Sequence, residues 1–336
     1  MRTTNHVHHV HLIATKRAAA LKAVRSFFDS QDFIEIDSPI VIDCNSPEPF
    51  IDPLFTNTTD HLGHVSTRQL HTSPELYMKR MVSHGVERCY FLGHVFRDGE
   101  GGKRHGSEFT MIEWYRRGGD LNDLIADCEQ LFAAVARAVG AAQPAMPYER
   151  AELSALWREF AHIDLERVLA QVAAGDAGSL QRELEQRGAL LRNGADFSDA
   201  FYQVMVDHIE PKIGNERPTV VTRWPAQMAQ LAKLCTDNHL LAERFEIYAG
   251  GLELANAFYE LTDARLQAER FDADNDERRR LCKPTFSGYE DFLADLPHMG
   301  DCAGIAVGFD RVLMYLLGAK DISEVMPIRW PLCHAG

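Results

Sequence analysis

The sequence predicts an α+β fold: one antiparallel β-sheet flanked by helices, with a mostly helical insertion at about 145–215. Three observations predict it. Runs rich in β-branched and aromatic residues cluster at 33–43, 88–117 and 219–261. Apolar positions at helical spacing lie before and between those runs. The stretch from about Gln143 to Asn215 is rich in Ala, Glu and Arg and shows little chemistry of its own. No internal repeat and no clear linker interrupts the chain, so a single domain over 1–336 is expected.

The elements follow in order. His6, His8, His9 and His11 alternate in a polar stretch that reads as a frayed terminus rather than a metal site. From about Ala14 to Gln31, Leu21, Val24 and Phe28 recur at helical spacing. DFIEIDSPIVI reads as a strand bent at Pro39, whose ring fixes φ and removes a donor. Ser73-Pro74-Glu75-Leu76 is a helix start: a capping hydroxyl, a proline at the first helical position and an acid in the first turn. RCYFLGHVF and EFTMIEWYRR are two strands joined by the polar, Gly-rich stretch from Asp98 to Ser107. DLNDLIADCEQLFAAVARAVG is an amphipathic helix. Strand character returns in PTVVTRW, RFEIYAGG and LELANAFYEL, and the charged stretch from Asp263 to Pro284 reads as a solvated connection. GIAVGFDRVLMYLLG is a strand running into a helix.

Composition narrows the function. Of 336 residues, 46% are hydrophobic and 25% charged, which suits a chain with a sizeable core and excludes overall disorder. The net charge of −14 argues against coating a nucleic acid or an anionic membrane, so no stable nucleic-acid partner is expected. No apolar run has the length of a membrane span, and the start lacks a secretory pattern. The seven cysteines (44, 89, 128, 235, 282, 302 and 333) form no CxxC pair and read as reduced cytosolic thiols. A cytoplasmic protein is expected.

Several residues suit chemistry. Met111, Glu113 and Tyr115 alternate along one strand and share a face, where a carboxylate and a phenol suit an ammonium group. The loop before them offers backbone N–H groups, Lys103, Arg104 and His105 to an anion, although a Gly-rich loop alone is a weak signal. In LELANAFYEL, strict alternation points Leu254, Asn256, Phe258 and Glu260 one way and Glu253, Ala255 and Ala257 the other. Glu246 and Glu253 lie on neighbouring strand-like segments and suit a shared Mg²⁺, which prefers a few carboxylates plus phosphates. Gly304 and Gly308 let a ligand approach the backbone, and Arg311 sits at a strand-to-helix junction that favours phosphate.

Taken together, these segments resemble the three motifs of a class II aminoacyl-tRNA synthetase core. The helix and strand ending at Pro39 resemble the first motif, Phe96-Arg97 and His105 to Phe109 the second, and GFDR ending at Arg311 the third. RHGSEFTMIEWY, RFEIYAGGLELANAFYELTDA and GIAVGFDR are similar to the lysyl-tRNA synthetase pattern. Two departures separate the chain from that subfamily. The first-motif helix begins within about 20 residues of the start, and fewer than roughly 40 residues do not make an independent module such as an anticodon-binding OB-fold. Ala306 stands where lysyl-tRNA synthetases carry the middle glycine of the third motif. Both features resemble the elongation factor P–(R)-β-lysine ligase family.

That resemblance implies an ATP-dependent ligase that adenylates (R)-β-lysine and passes it to a lysine of elongation factor P, working as a homodimer with Mg²⁺. Arg97 and Arg311 would be the catalytic cations. Ser73, Glu75, Glu113, Tyr115, Asn256, Phe258 and Glu260 would surround the diamino acid, with the Ala306 methyl disfavouring α-lysine. Arg97, Glu100, His105, Phe109, Glu253, Leu254, Gly308 and Arg311 would hold ATP, and Glu246 and Glu253 the metal. The second motif reads Arg97-Asp98-Gly99-Glu100 here, with Gly99 at the family's usual Glu position, and Gly106-Ser107 replace a common Asn-Pro. Two other readings are a lysyl-tRNA synthetase-like enzyme using α-lysine and an RNA acceptor, and a catalytically silent paralogue with a binding or regulatory role. The second would be expected to lose ATP and metal residues, whereas Arg97, Phe109, Glu246, Glu253 and Arg311 are all present.

Overall fold

A computed structural model describes residues 4–192 and 194–327. The chain divides into two compact units, 1–144 with 259–336 and 145–258.

The first unit opens with α1 (Thr4–Asp29), so the histidine-rich stretch is helical rather than frayed; the side chains of His6, His8 and His9 lie outside the described residues. Ala20, Val24, Phe27 and Phe28 form the buried stripe of α1, and Phe28 stacks on Tyr90 at 4.3 Å between ring centroids. The expected strand around Pro39 splits into β1 (Ile34–Glu35) and β2 (Val41–Ile42), which join different sheets. β2 pairs with β4 (Val65–Leu70), which also pairs with β3 (Phe55–Thr59) in a three-stranded sheet.

Helix α2 (Glu75–Ser83) begins one residue later than expected, with Pro74 rather than Ser73 at the N-cap, and Ser73 Oγ just before it accepts the Glu75 N–H at 3.0 Å. β5 (Arg88–Phe96) and β6 (Glu108–Arg117) form an antiparallel pair with the boundaries read from the sequence. Helix α3 (Leu121–Val139) packs beside α1 and is closed by a capping box between Asp120 and Asp123 and by Gly140 at φ 69°.

The second unit holds β7 (Glu149–Glu152), then α4 (Leu153–Leu156), α5 (Leu165–Ala173), α6 (Ser179–Gln186) and α7 (Phe197–Val204). Trp157, Phe201 and Trp224 anchor its core, the first two stacked at 5.0 Å. β8 (Thr219–Pro225), β9 (Leu241–Ala249) and β10 (Leu252–Tyr259) follow, pairing in the order β7-β8-β9-β10. The expected helical insertion is thus the front part of a unit that has its own strands.

The first unit resumes with α8 (Ala264–Arg280), α9 (Glu290–Asp295), β11 (Cys302–Gly308) and α10 (Phe309–Leu317). Its sheet runs β1-β5-β6-β11. Pairing is antiparallel as expected, except that β1 with β5 and β7 with β8 are parallel.

The charged stretch after Asp263 is helix α8, not a solvated connection. Gln267, Phe271, Asn275 and Arg278 are its buried face. Arg278 donates to the carbonyls of Glu48, Ile51 and Pro284 and to Asp52 Oδ1, and lies 4.2 Å over the Phe286 ring. Asp52 also accepts from Lys283, and its carbonyl accepts the Asp98 N–H, which fixes the start of the Gly-rich loop.

Among the described residues, no helix is long and apolar enough to cross a membrane. Cys44, Cys89, Cys128, Cys235, Cys282 and Cys302 are free thiols, and Cys333 lies outside the described residues.

Candidate active site

In the first unit, β6 places Phe109, Met111, Glu113 and Tyr115 on one face. Opposite them in register on β11 stand Gly308 against Met111, Ala306 against Glu113 and Gly304 against Tyr115. Glu113 is buried; Oε2 accepts from Ser73 Oγ and Oε1 from the Tyr115 hydroxyl, each at 2.7 Å. The Ser73 hydroxyl therefore accepts from the first residue of α2 and orients a carboxylate at once.

Glu75 and Glu260 meet at a residue that sequence reasoning missed. Lys79 is 1% exposed, and its Nζ lies 2.7 Å from Glu75 Oε1 and 2.6 Å from Glu260 Oε2. Its spacing from Glu75 was readable as an i,i+4 pair, but Glu260 arrives from the far end of the chain. Among the described residues, Glu260 Oε1 is buried without a hydrogen-bond partner. Burial pushes Glu260 up to about 8 although Lys79 opposes it, and burial with the Glu75 charge pushes Glu113 up to about 7. Burial works to lower the Lys79 ammonium, and the Glu260 and Glu75 charges override it and raise it.

Gly304 does not hold space for a ligand, as the sequence suggested. A Cβ there would lie 2.3 Å from both Glu260 Oε1 and the Tyr115 ring, so the protein itself fills that space. At Gly308 the atoms nearest to such a Cβ belong to the flexible Arg311 side chain, at 3.6 Å, so that end of the strand is less crowded.

The second cluster sits at the Gly-rich loop. The Arg97 guanidinium lies 5.1 Å from the Phe109 ring centroid, its Nε donates to Thr72 O, and Nη1 is 3.6 Å from Glu100 Oε1. Glu100 Oε2 lies 3.1 Å from His105 Nδ1, and Arg311 Nη2 is 3.0 Å from the same nitrogen. Despite its one-residue offset, Glu100 joins Arg97, His105 and Arg311. Burial raises its pKa, but the His105 hydrogen bond and the Arg97 and Arg311 charges hold it below the usual range. Asp310 braces this region by accepting the Thr110 N–H and pairing with Arg17. A guanidinium on an aromatic ring, with a second guanidinium reaching the same cluster through His105, suits a nucleotide, with cations for phosphate and a face for the base.

In the second unit, strict alternation along β10 fails. Glu253 pairs with Tyr248 and Ala255 with Ile247, so Leu254 is an extra residue in a β-bulge. The bulge turns Glu253 onto the face of Asn256 and Phe258, which stand opposite Glu246 and Arg244. Leu254 is buried, which leaves its backbone groups for any ligand. Glu246 accepts from the Arg244 guanidinium and from the Tyr248 hydroxyl. Arg244, also missed in the sequence, is buried on Trp224 and donates Nε to Asn256 Oδ1.

Burial, then the Glu253 charge, pushes Glu246 up to about 7. Two carboxylates that repel each other on one face fit a hard divalent cation, whose charge relieves that repulsion. Among the described residues, no group of three or more His, Cys, Asp or Glu forms a fuller metal cluster.

The raised carboxyls of the first unit give a signed pH prediction. Between the ordinary 4.5 and the raised values of about 7 and 8, the folded state holds protons that the unfolded chain has lost. The Glu113 and Glu260 contribution to ligand-free stability therefore falls as pH rises through that window. A diammonium ligand needs the carboxylates ionised, so its affinity rises over the same window. Thermal melts from pH 5 to 8 with and without cadaverine are expected to diverge as pH rises, and parallel curves would contradict this. Glu260→Gln is expected to reduce the divergence.

Comparison with known proteins follows the same line. Residues 4–329 match the family described as tRNA synthetases class II (D, K and N). The chain is 34% identical over 318 residues to the elongation factor P–(R)-beta-lysine ligase of Hamiltonella defensa, covering 93% of each. It is 35% identical over 313 residues to the enzyme of that name from Edwardsiella ictaluri and 34% over 319 to that from Salmonella gallinarum, again covering 93% of each.

Proposed function

The chain belongs to the class II tRNA synthetase family (D, K and N), and from that premise we propose that it is an ATP-dependent ligase that attaches (R)-β-lysine to elongation factor P. The observation that carries this reading is the carboxylate set of half-buried Glu75 and buried Glu113 and Glu260, with Ala306 paired opposite Glu113: three carboxylates suit a substrate with two ammonium groups, and a methyl narrows the pocket beside one of them.

The reaction has two steps. The β-lysine carboxylate attacks the α-phosphate of ATP and pyrophosphate leaves; the ε-amine of the acceptor lysine then attacks the acyl carbonyl and AMP leaves. Arg97 places a guanidinium beside Phe109 and would stabilise charge on the carboxylate and α-phosphate. Arg311, His105 and Glu100 would fix the nucleotide, with Gly308 leaving room along the strand. Glu246 and Glu253 would hold Mg²⁺, which supplies charge neutralisation for the departing pyrophosphate. Tyr248 and Arg244 orient the Glu246 carboxylate, and Arg244 orients the Asn256 amide. Catalysis rests on positioning and electrostatics.

A homodimer in the cytoplasm completes the reading. Val41, Phe55 and Val65 on the β2-β4-β3 sheet are exposed at 47%, 50% and 65%, with Ile34 and Ile40 nearby on the chain, and such apolar surface suits a partner subunit. Sedimentation at micromolar protein is expected to give a dimer, and a monomer would count against it.

The testing experiment is amino-acid-dependent ATP–pyrophosphate exchange with (R)-β-lysine, α-lysine and no amino acid. Preference for the β-isomer supports the proposal. Preference for α-lysine moves the chain toward the tRNA-charging reading, and no exchange with any isomer supports a silent paralogue.

A further inference from the structure

We propose that Lys79 is a positioning residue that sets the charge of the amino-acid pocket, matching it to a substrate with two ammonium groups. The inference rests on the amino-acid reading of this pocket and adds a residue to it. Lys79 projects from α2 one turn after Glu75 and reaches Glu260 with the same Nζ. Only 1% of its side chain is exposed, too little for solvation to stabilise the ammonium, so its position depends on the two carboxylates. The dependence is mutual, because the Glu260 oxygens have no other partner among the described residues.

Formal charge then closes. Glu75, Glu113 and Glu260 contribute three negative charges when ionised and Lys79 one positive, leaving two for a diammonium ligand. Arg97 stands with the nucleotide cluster and is not counted in this set. Without Lys79 the buried pocket carries one negative charge too many, and Glu260 loses the contact that holds it beside Gly304 and Tyr115. Lys79 thus fixes both the number of charges and the place of one carboxylate.

The test measures lysine-isomer binding by calorimetry without ATP, in wild type, Lys79→Met, Lys79→Arg and Lys79→Met/Glu260→Gln, with melting temperature as a folding control. Lys79→Met is expected to weaken diamino-acid binding at least tenfold while leaving ATP affinity, titrated separately, within twofold. The double variant restores the formal charge and is expected to recover part of both binding and stability, and Lys79→Arg part of the binding. If Glu260→Gln instead worsens the Lys79→Met variant in both readouts, Lys79 is only a packing residue and the proposal falls. If Lys79→Met does not fold, the double variant decides: folding with diamino-acid binding supports the proposal, and loss of either overturns it. If wild type binds the diamino acid but exchanges no pyrophosphate, the ligase reading fails while this inference stands or falls on the binding series.

Discussion

Replacing Arg97 by alanine is expected to lower β-lysine-dependent ATP–pyrophosphate exchange by about 10²- to 10³-fold, the effect of removing one preorganised donor from a developing negative charge. Arg97 follows β5 directly; its N–H bonds to Ser107 O, and its side chain is held by Thr72 O, Glu100 and the Phe109 face. Those contacts place the cation before any ligand arrives, so little reorganisation accompanies the reaction. The side chain is 22% exposed and is not part of the apolar core, so melting temperature is expected to change little. Lysine at 97 keeps the charge but not the planar fork, and partial recovery is expected. Equal exchange rates in wild type and Arg97→Ala would remove Arg97 from the catalytic set.

What the sequence disclosed depended on how local each signal was. β5 and β6 were readable to the residue because their β-branched and aromatic runs are bounded by the polar loop and the turn, and no bulge interrupts their register. The face bearing Glu113 and Tyr115 followed from that alternation alone. The face bearing Glu253 did not, because one bulged residue at Leu254 reverses every orientation before it, and nothing in LELANAFYEL marks the extra residue. β3 and β4 went unread because Thr, Asn, Ser and Gln fill them and no apolar alternation survives. The Asp263–Pro284 stretch misled for the opposite reason: its charges look solvated, but Arg278 is buried against three carbonyl and carboxylate oxygens of the 48–52 segment and the Pro284 carbonyl of its own. Lys79 shows the same limit. A helix pair with Glu75 is visible from spacing, whereas its burial depends on Glu260, which only the fold brings to it.

Gly304 and Ala306, on one face of β11, are required for different reasons, and paired substitutions separate them. Gly304→Ala puts a methyl 2.3 Å from Glu260 Oε1 and from the Tyr115 ring. Neither neighbour is free to yield, since Tyr115 donates to Glu113 and Glu260 is paired with Lys79. Overpacking of this kind costs about 1–3 kcal/mol. It also displaces two pocket groups, so a lower melting temperature and a rise of at least about tenfold in the KM for β-lysine are expected together. Ala306→Gly, directly opposite Glu113, relieves crowding instead of creating it. Its expected effect is on selectivity: kcat/KM for α-lysine relative to β-lysine rises by about 10- to 200-fold, the range for one methyl in a fitted pocket. If Gly304→Ala left the KM for β-lysine untouched, Glu260 and Tyr115 would not touch the substrate. If Ala306→Gly left the isomer ratio untouched, the discriminating contact would have to lie off β11, because β11 presents only hydrogens at its two glycines on this face.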